Sequence, residues 1–252
     1  MLSTLVLSNE QIAQFKKDGF LIVKNGFSEN ESANIATWAS ELAEMQEVSG
    51  KQWVYHETSQ LEPEKKLINR IEYISPFHEG FAELAEVLKA PMAQLFGEEA
   101  VLFKEKINFK MPGGDGFKPH QDSQAGWQDY ADYFISVMVC IDEATIENGC
   151  LQMVPGFQNH GLYREWEPLT DEDMADMEFI HCPTKPGDIA FFDCYTPHAS
   201  EPNLTNTTRR LYFATYNKLS EGDHLEKYYA DKHKSFPPDI DRIAGKEYVF
   251  RV

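Results

Sequence analysis

Between residues 101 and 217 the chain is a series of short β-branched and aromatic runs cut by glycine- and proline-bearing turns. This punctuation restricts the fold more than any other feature. The runs fall at residues 101–110, 133–141, 150–154, 188–193 and 209–216. The turns between them include Met111-Pro-Gly-Gly-Asp-Gly-Phe117, Glu147-Asn-Gly149, Val154-Pro-Gly156 and Lys185-Pro-Gly187. Many short strands with such turns build a barrel or a sandwich rather than a parallel α/β sheet.

The first hundred residues carry a different period. Ser8 with Gln11, and Ser28 with Glu31, are capping boxes, in which the serine hydroxyl and the side chain three residues on satisfy each other's backbone donors. They open helices expected to run to about Lys17 and about Glu47, with Gly19 ending the first and residues 20–23 forming a strand. Phe81, Leu84, Val87, Leu88 and Leu95 recur at helical spacing over residues 78–96, a helix that Pro91 can kink and Gly97 ends. Residues 48–75 are polar and aperiodic, residues 160–180 read as an exposed acidic insertion, and residues 219–252 as a polar tail. The 252 residues fit one domain: a helical part over about 1–97, a β core over about 101–217, and the tail.

A formal net charge of −18 leaves no basic face for nucleic acid and disfavours anionic membranes. No apolar run approaches the length of a membrane span, and the N-terminus lacks the pattern of a signal peptide. Cys140, Cys150, Cys182 and Cys194 form no Cys-x-x-Cys pair and read as buried reduced thiols. The expected setting is the cytoplasm and the expected partner a small molecule; the sequence leaves the oligomeric state open.

Chemistry enters with His120-Gln-Asp122. On an extended strand residues i and i+2 face the same side, so one imidazole and one carboxylate can meet one ion. His198, in Thr196-Pro-His-Ala-Ser200, is the candidate third ligand, giving the two-histidine, one-carboxylate face of non-haem Fe(II) oxygenases. A His-x-Asp pair alone is common by chance, and His198 is one of eight histidines. The joint context carries the argument: a glycine turn before the pair, strands around both elements, and Arg209 eleven residues after His198. On a return strand Arg209 can present its fork to a dicarboxylate at the metal, and Arg210 then faces the other way.

These segments, in order, together with Phe103-Lys-Glu-Lys-Ile-Asn-Phe-Lys110 and Glu147-Asn-Gly-Cys-Leu151, resemble the phytanoyl-CoA dioxygenase family of Fe(II)/2-oxoglutarate oxygenases. The resemblance implies a mainly β double-stranded β-helix, a cupin-like jelly roll, with flanking helices. It implies Fe(II) held by His120, Asp122 and His198, with 2-oxoglutarate and O2 as cosubstrates. Arg209 and Ser200 would hold the distal carboxylate of 2-oxoglutarate, and Lys106 and Asn108 would contribute to the cosubstrate site. Ala199 stands where the family often has glycine. Because Asp122 is present, a halogenase, which needs that position vacant, is disfavoured.

Within the family, Pro112-Gly-Gly114, Ser235-Phe-Pro-Pro-Asp239 and Gly245-Lys-Glu-Tyr248 look like bacterial members that hydroxylate 2-aminoethylphosphonate and its N-methylated relatives. A phosphonate needs a cation, and Lys104, Lys106 and Arg210 are candidates. An ammonium end can rest on Trp127, Tyr130 or Tyr133. Gln121 lies between the two ligands, Phe192 and Phe213 are candidate apolar walls, and residues 122–130 are expected at the mouth of the site. An acyl-CoA or an amino-acid-like osmolyte are alternative substrates; a zinc hydrolase with the same ligands and a non-catalytic β-helix are alternatives of another class.

Overall fold

The computed structural model describes residues 1–248; the last four residues of the expected tail lie outside them. Along the chain run α1 (Asn9–Asp18), β1 (Phe20–Val23), α2 (Glu29–Glu44), β2 (Trp53–Thr58), β3 (Lys66–Glu72) and α3 (Glu79–Phe96). Then follow β4 (Ala100–Lys110), β5 (Phe117–His120), β6 (Phe134–Cys140), β7 (Leu151–Met153), β8 (Ile180–Cys182), β9 (Ile189–Asp193), β10 (His198–Ser200), β11 (Arg209–Lys218) and α4 (Leu225–Ser235). Seven strands form one sheet in the order β1-β9-β6-β11-β4-β3-β2, and four form a second in the order β5-β10-β7-β8. Every strand pair is antiparallel. Two antiparallel sheets face to face, with helices on the outside of the larger, make the jelly-roll form of a double-stranded β-helix.

Both capping boxes form, and Gly19 and Gly97 close α1 and α3 at φ +78°. Three helices cover the outer face of the large sheet, packing Phe15, Ile35, Leu42, Phe81, Leu88 and Met92 against Ile107, Val137 and Tyr212. A smaller apolar layer between the sheets holds Met138, Met153, Phe192 and Leu211.

Three expectations needed correction. The polar stretch 48–75 contains β2 and β3. Two of its charged residues are internal: buried Arg70 donates through Nε to buried Glu72 at 2.7 Å, a pairing that periodicity cannot reveal. The tail contains α4, whose Tyr228 and Tyr229 join Trp53, Phe103, Trp127 and Phe134 in an aromatic cluster. The helix after Ser28 ends at Glu44 rather than near Glu47; α3, with buried Pro91 inside it, runs to Phe96 and stops at Gly97 as expected.

Residues 161–179 form no helix or strand and are largely exposed, as expected of the acidic insertion, although Ile180 already belongs to β8. All four cysteines are free and buried. Among the described residues, no helix is long and apolar enough to cross a membrane.

Candidate active site

Strand register brings the site together. His198 on β10 lies directly opposite His120 on β5, and their rings stand 4.1 Å apart centre to centre. Asp122 opens the short 3-10 turn that follows β5, and its Oδ1 lies 3.8 Å from His198 Nε2. One ligand atom from each of the three residues falls within 4.8 Å of the others, a separation that one ion can bridge.

Both histidines are fixed for ligation. Nδ1–H of His120 donates to the Lys118 carbonyl at 2.7 Å, and Nδ1–H of His198 to the Thr196 carbonyl at 3.0 Å. Because a carbonyl only accepts, Nε2 of each ring is left with its lone pair toward the common point. Burial, with His198 beside it, pushes His120 down to about 3; burial lowers His198 as well. Burial opposes ionisation of Asp122, yet His198, Lys104 and His120 hold its carboxyl below the usual range. At neutral pH the set is therefore two neutral imidazoles and a carboxylate. Ser136 Oγ donates to Asp122 Oδ2 at 2.7 Å and lies 2.9 Å from Thr215 Oγ1, so the carboxylate is oriented from behind.

Alternation along β11 separates two adjacent arginines. Arg209, Leu211, Phe213 and Thr215 face the space between the sheets, whereas Tyr212 and Ala214 face the helices. Arg209 lines the pocket of the triad, is 2% exposed, and has no carboxylate within ion-pair distance among the described residues. Its Nε has no hydrogen-bond partner, nor has buried Asn108 Oδ1 in the same pocket wall. Burial lowers the Arg209 guanidinium to about 10. A buried cation with no counter-charge fits a pocket that takes an acid, and its planar fork suits a carboxylate. These residues fit 2-oxoglutarate.

Arg210 is not part of the site. Its Nε and Nη2 bind Asp142 at 2.7 and 2.8 Å, and Nη1 donates to Ser40 Oγ at 2.8 Å, on the helix side of the sheet. Gln121 also points away from the pocket. Its amide donates to the Gly161 and Tyr195 carbonyls and accepts from the Tyr163 N–H, pinning the acidic insertion. Trp127 is buried and lines neither cavity; it lies beneath Lys104, whose Nζ sits 4.3 Å from the ring centre. Tyr133 turns its hydroxyl to Asp193 and its ring to Phe96.

Ser200, Lys104, Lys106, Asn108, Phe192 and Phe213 do line the pocket, and Tyr130 lines a second cavity outside it. Part of the 122–130 segment, at Ala125, Gly126, Asp129 and Tyr130, walls that outer cavity.

Residues the sequence reading passed over include Ser136, Thr215 and Lys110. Lys110 Nζ donates to Ser200 Oγ at 2.8 Å and to the Glu201 carbonyl. The available signal was alternation: Lys104, Lys106, Asn108 and Lys110 share one face of β4.

A jelly roll with two histidines and one carboxylate on its inner face, and an unpaired buried arginine beyond them, defines an Fe(II)/2-oxoglutarate-dependent dioxygenase. Residues 15–211 match the family model described as phytanoyl-CoA dioxygenase. The chain belongs to the phytanoyl-CoA dioxygenase family. It is 40% identical over 246 residues to a 2-aminoethylphosphonate dioxygenase from an uncultured bacterium, HF130_AEPn_1, covering 96% of this chain and 93% of that one. It is 36% identical over 245 residues to a methylphosphonate hydroxylase from Gimesia maris, covering 96% and 92%. The solved structure of EctD from S. alaskensis with 2-oxoglutarate and 5-hydroxyectoine superposes with a TM-score of 0.73 at 26% identity, covering 85% of this chain and 77% of that one.

Proposed function

We propose that the chain hydroxylates a C–H bond of a small organophosphonate of the 2-aminoethylphosphonate type, and that its whole length serves as one oxygenase unit. The observation that carries the reaction class is the triad facing a buried, unpaired Arg209. The substrate class rests on identity along nearly the full chain to two enzymes named for phosphonates. The shared apolar core of the helices and the large sheet supports a single unit.

In this reading His120, Asp122 and His198 hold Fe(II) on one face and leave the other to cosubstrate and substrate. Ser136 keeps Asp122 aimed. Arg209, with Ser200 and Asn108, holds the distal carboxylate of 2-oxoglutarate in the closed end of the pocket. Phe192, Phe213 and Leu151 wall the pocket and exclude water. With Fe(II), 2-oxoglutarate and O2 bound, the cofactor set supplies the oxidation and releases succinate and CO2; the protein supplies position.

Anaerobic Fe(II) with 2-oxoglutarate is expected to give a weak visible band, and 2-aminoethylphosphonate to stimulate succinate release in air. Asp122→Ala removes one of three protein ligands and abolishes turnover. Loss of the band in the unsubstituted protein, or near-normal turnover in Asp122→Ala, overturns the reaction class. Stimulation by acyl-CoA or an osmolyte but by no phosphonate moves the substrate.

A further inference from the structure

The inward row on β4 is longer than the cosubstrate needs. Lys110 and Arg209 are direct cross-strand partners at one end, and Lys104 pairs with Thr215 at the other. Strand rise puts the Lys104 and Lys110 backbones about 20 Å apart. A five-carbon dicarboxylate that spans from Arg209 to the triad is used up there. Lys104, farthest from Arg209 along the row, and Lys106 next to it are then left to meet another part of the bound ligands.

Their surroundings say what is missing. Both lysines line the triad pocket and also a cavity of about 510 Å³ outside it, so they stand where the two meet. Among the described residues neither has an ion pair or a hydrogen bond. Lys104 Nζ rests on Trp127 at 4.3 Å and Tyr228 at 5.8 Å, and Lys106 Nζ near Phe117 at 5.4 Å and Phe213 at 5.6 Å.

The carboxylates close by are committed. Glu72 takes Arg70 Nε at 2.7 Å and Lys232 Nζ at 2.6 and 2.8 Å, while Asp122 faces His198 and accepts from Ser136. Aromatic faces compensate only part of the lost hydration of a buried ammonium. Two such groups side by side imply an anion that the ligand brings.

The residue types also discriminate between anions. Arginine's flat fork matches a planar carboxylate, and the pocket lining has one in buried Arg209. Lysines are point charges with three donors each, suited to a tetrahedral anion with several oxygens.

We infer that Lys104 and Lys106 form a subsite for the phosphonate group of the substrate, at the neck between the triad pocket and the outer cavity, with Lys104 its main anchor. This rests on the proposed function for the identity of the anion. Bound there, the anion is held beside the triad with its adjoining C–H carbon turned toward the metal site, and the remainder of a longer substrate lies toward the outer cavity lined by Tyr130 and Tyr228. A ligand without an amine, such as methylphosphonate, satisfies the subsite on its own.

Calorimetric titration of methylphosphonate into the anaerobic Fe(II)/2-oxoglutarate protein tests this. Lys104→Met is expected to weaken methylphosphonate by about ten- to a hundredfold, the loss of a charge-assisted contact, with 2-oxoglutarate affinity changed less than twofold. Lys104→Arg should keep most of the affinity, and methylsulfonate, with one charge fewer, should bind more weakly than methylphosphonate. Lys104→Gln serves as a second neutral variant, and circular dichroism checks that each is folded.

Unchanged methylphosphonate affinity in a folded neutral variant overturns the subsite. So does a parallel loss of 2-oxoglutarate affinity, which assigns Lys104 to the cosubstrate. Failure of the unsubstituted protein to bind 2-oxoglutarate overturns the proposed function instead, and titration of the metal-free protein with methylphosphonate still decides the subsite.

Discussion

Lys110 Nζ donates to Ser200 Oγ at 2.8 Å from the strand position directly opposite Arg209. Burial, with Arg209 beside it, pushes this amine down to about 6. The lysine thus sets the rotamer of the serine beside Arg209 without bringing a full second charge against the arginine at neutral pH. Lys110→Met frees the hydroxyl and leaves the Gly149 and Glu201 carbonyls short of a donor. An increase of about tenfold in the 2-oxoglutarate dissociation constant is expected, the loss of one buried hydrogen bond. Titrating the anaerobic visible band reads it, and an unchanged constant means that Ser200 needs no such support.

Ser136 bonds the Asp122 oxygen that His198 does not approach. Partners behind metal ligands commonly contribute about ten- to a hundredfold in metal affinity. Ser136→Ala is accordingly expected to weaken Fe(II) or Mn(II) binding by about tenfold while 2-oxoglutarate still binds the metal-loaded protein. Equal metal affinity in a competition assay would show that Asp122 is oriented by the backbone alone.

Arg209 and Arg210 are adjacent in sequence and opposite in effect. Arg209→Ala removes the buried guanidinium that lines the pocket and should raise the 2-oxoglutarate requirement far more than the iron requirement. Arg210→Ala breaks a two-point contact with Asp142 and should lower stability by about 1–3 kcal/mol, leaving 2-oxoglutarate affinity alone. Thermal melts and band titrations on the two variants separate these outcomes, and a cosubstrate defect in Arg210→Ala would contradict the assigned faces.

Lys106 and Lys232 are both lowered by burial to about 7 and Lys110 to about 6, against about 10.4 when unfolded. Between those values the unfolded chain binds more protons than the native one, so stability rises with pH. His120 and His198, also lowered by burial, act in the same sense below about 6.5. The buried thiols Cys140 and Cys182 are raised to about 12, so above about 8.5 they work the other way. The melting temperature of the metal-free protein should therefore climb from pH 6 to pH 8 and level off beyond. A bound phosphonate should flatten the climb by favouring charged Lys106. A melting temperature that falls over this window would mean that the lysines stay charged in the native state.

The sequence by itself determined the local structure and the reaction class. Capping residues, left-handed glycines and period-two runs are read by the backbone within a few residues, so α1, β1, α3 and most core strands were legible. The triad was legible because two ligands share one short segment, and the third sits with Ser200 and Arg209 at fixed offsets.

Only the tertiary structure decided which charged residues are internal. Arg70, Glu72 and Lys110 look like surface residues in a polar run, and their burial depends on partners 2 to 160 positions away. It also decided that α4 closes over Trp53 and Phe103, since an amphipathic tail shows no target until the sheet exists. Gln121, between the two ligands on extended backbone, turns to the opposite face and pins the acidic insertion, as alternation requires, whereas Trp127 follows the ligands by five residues and is carried into the aromatic cluster by the 3-10 turns after β5, which no strand period describes.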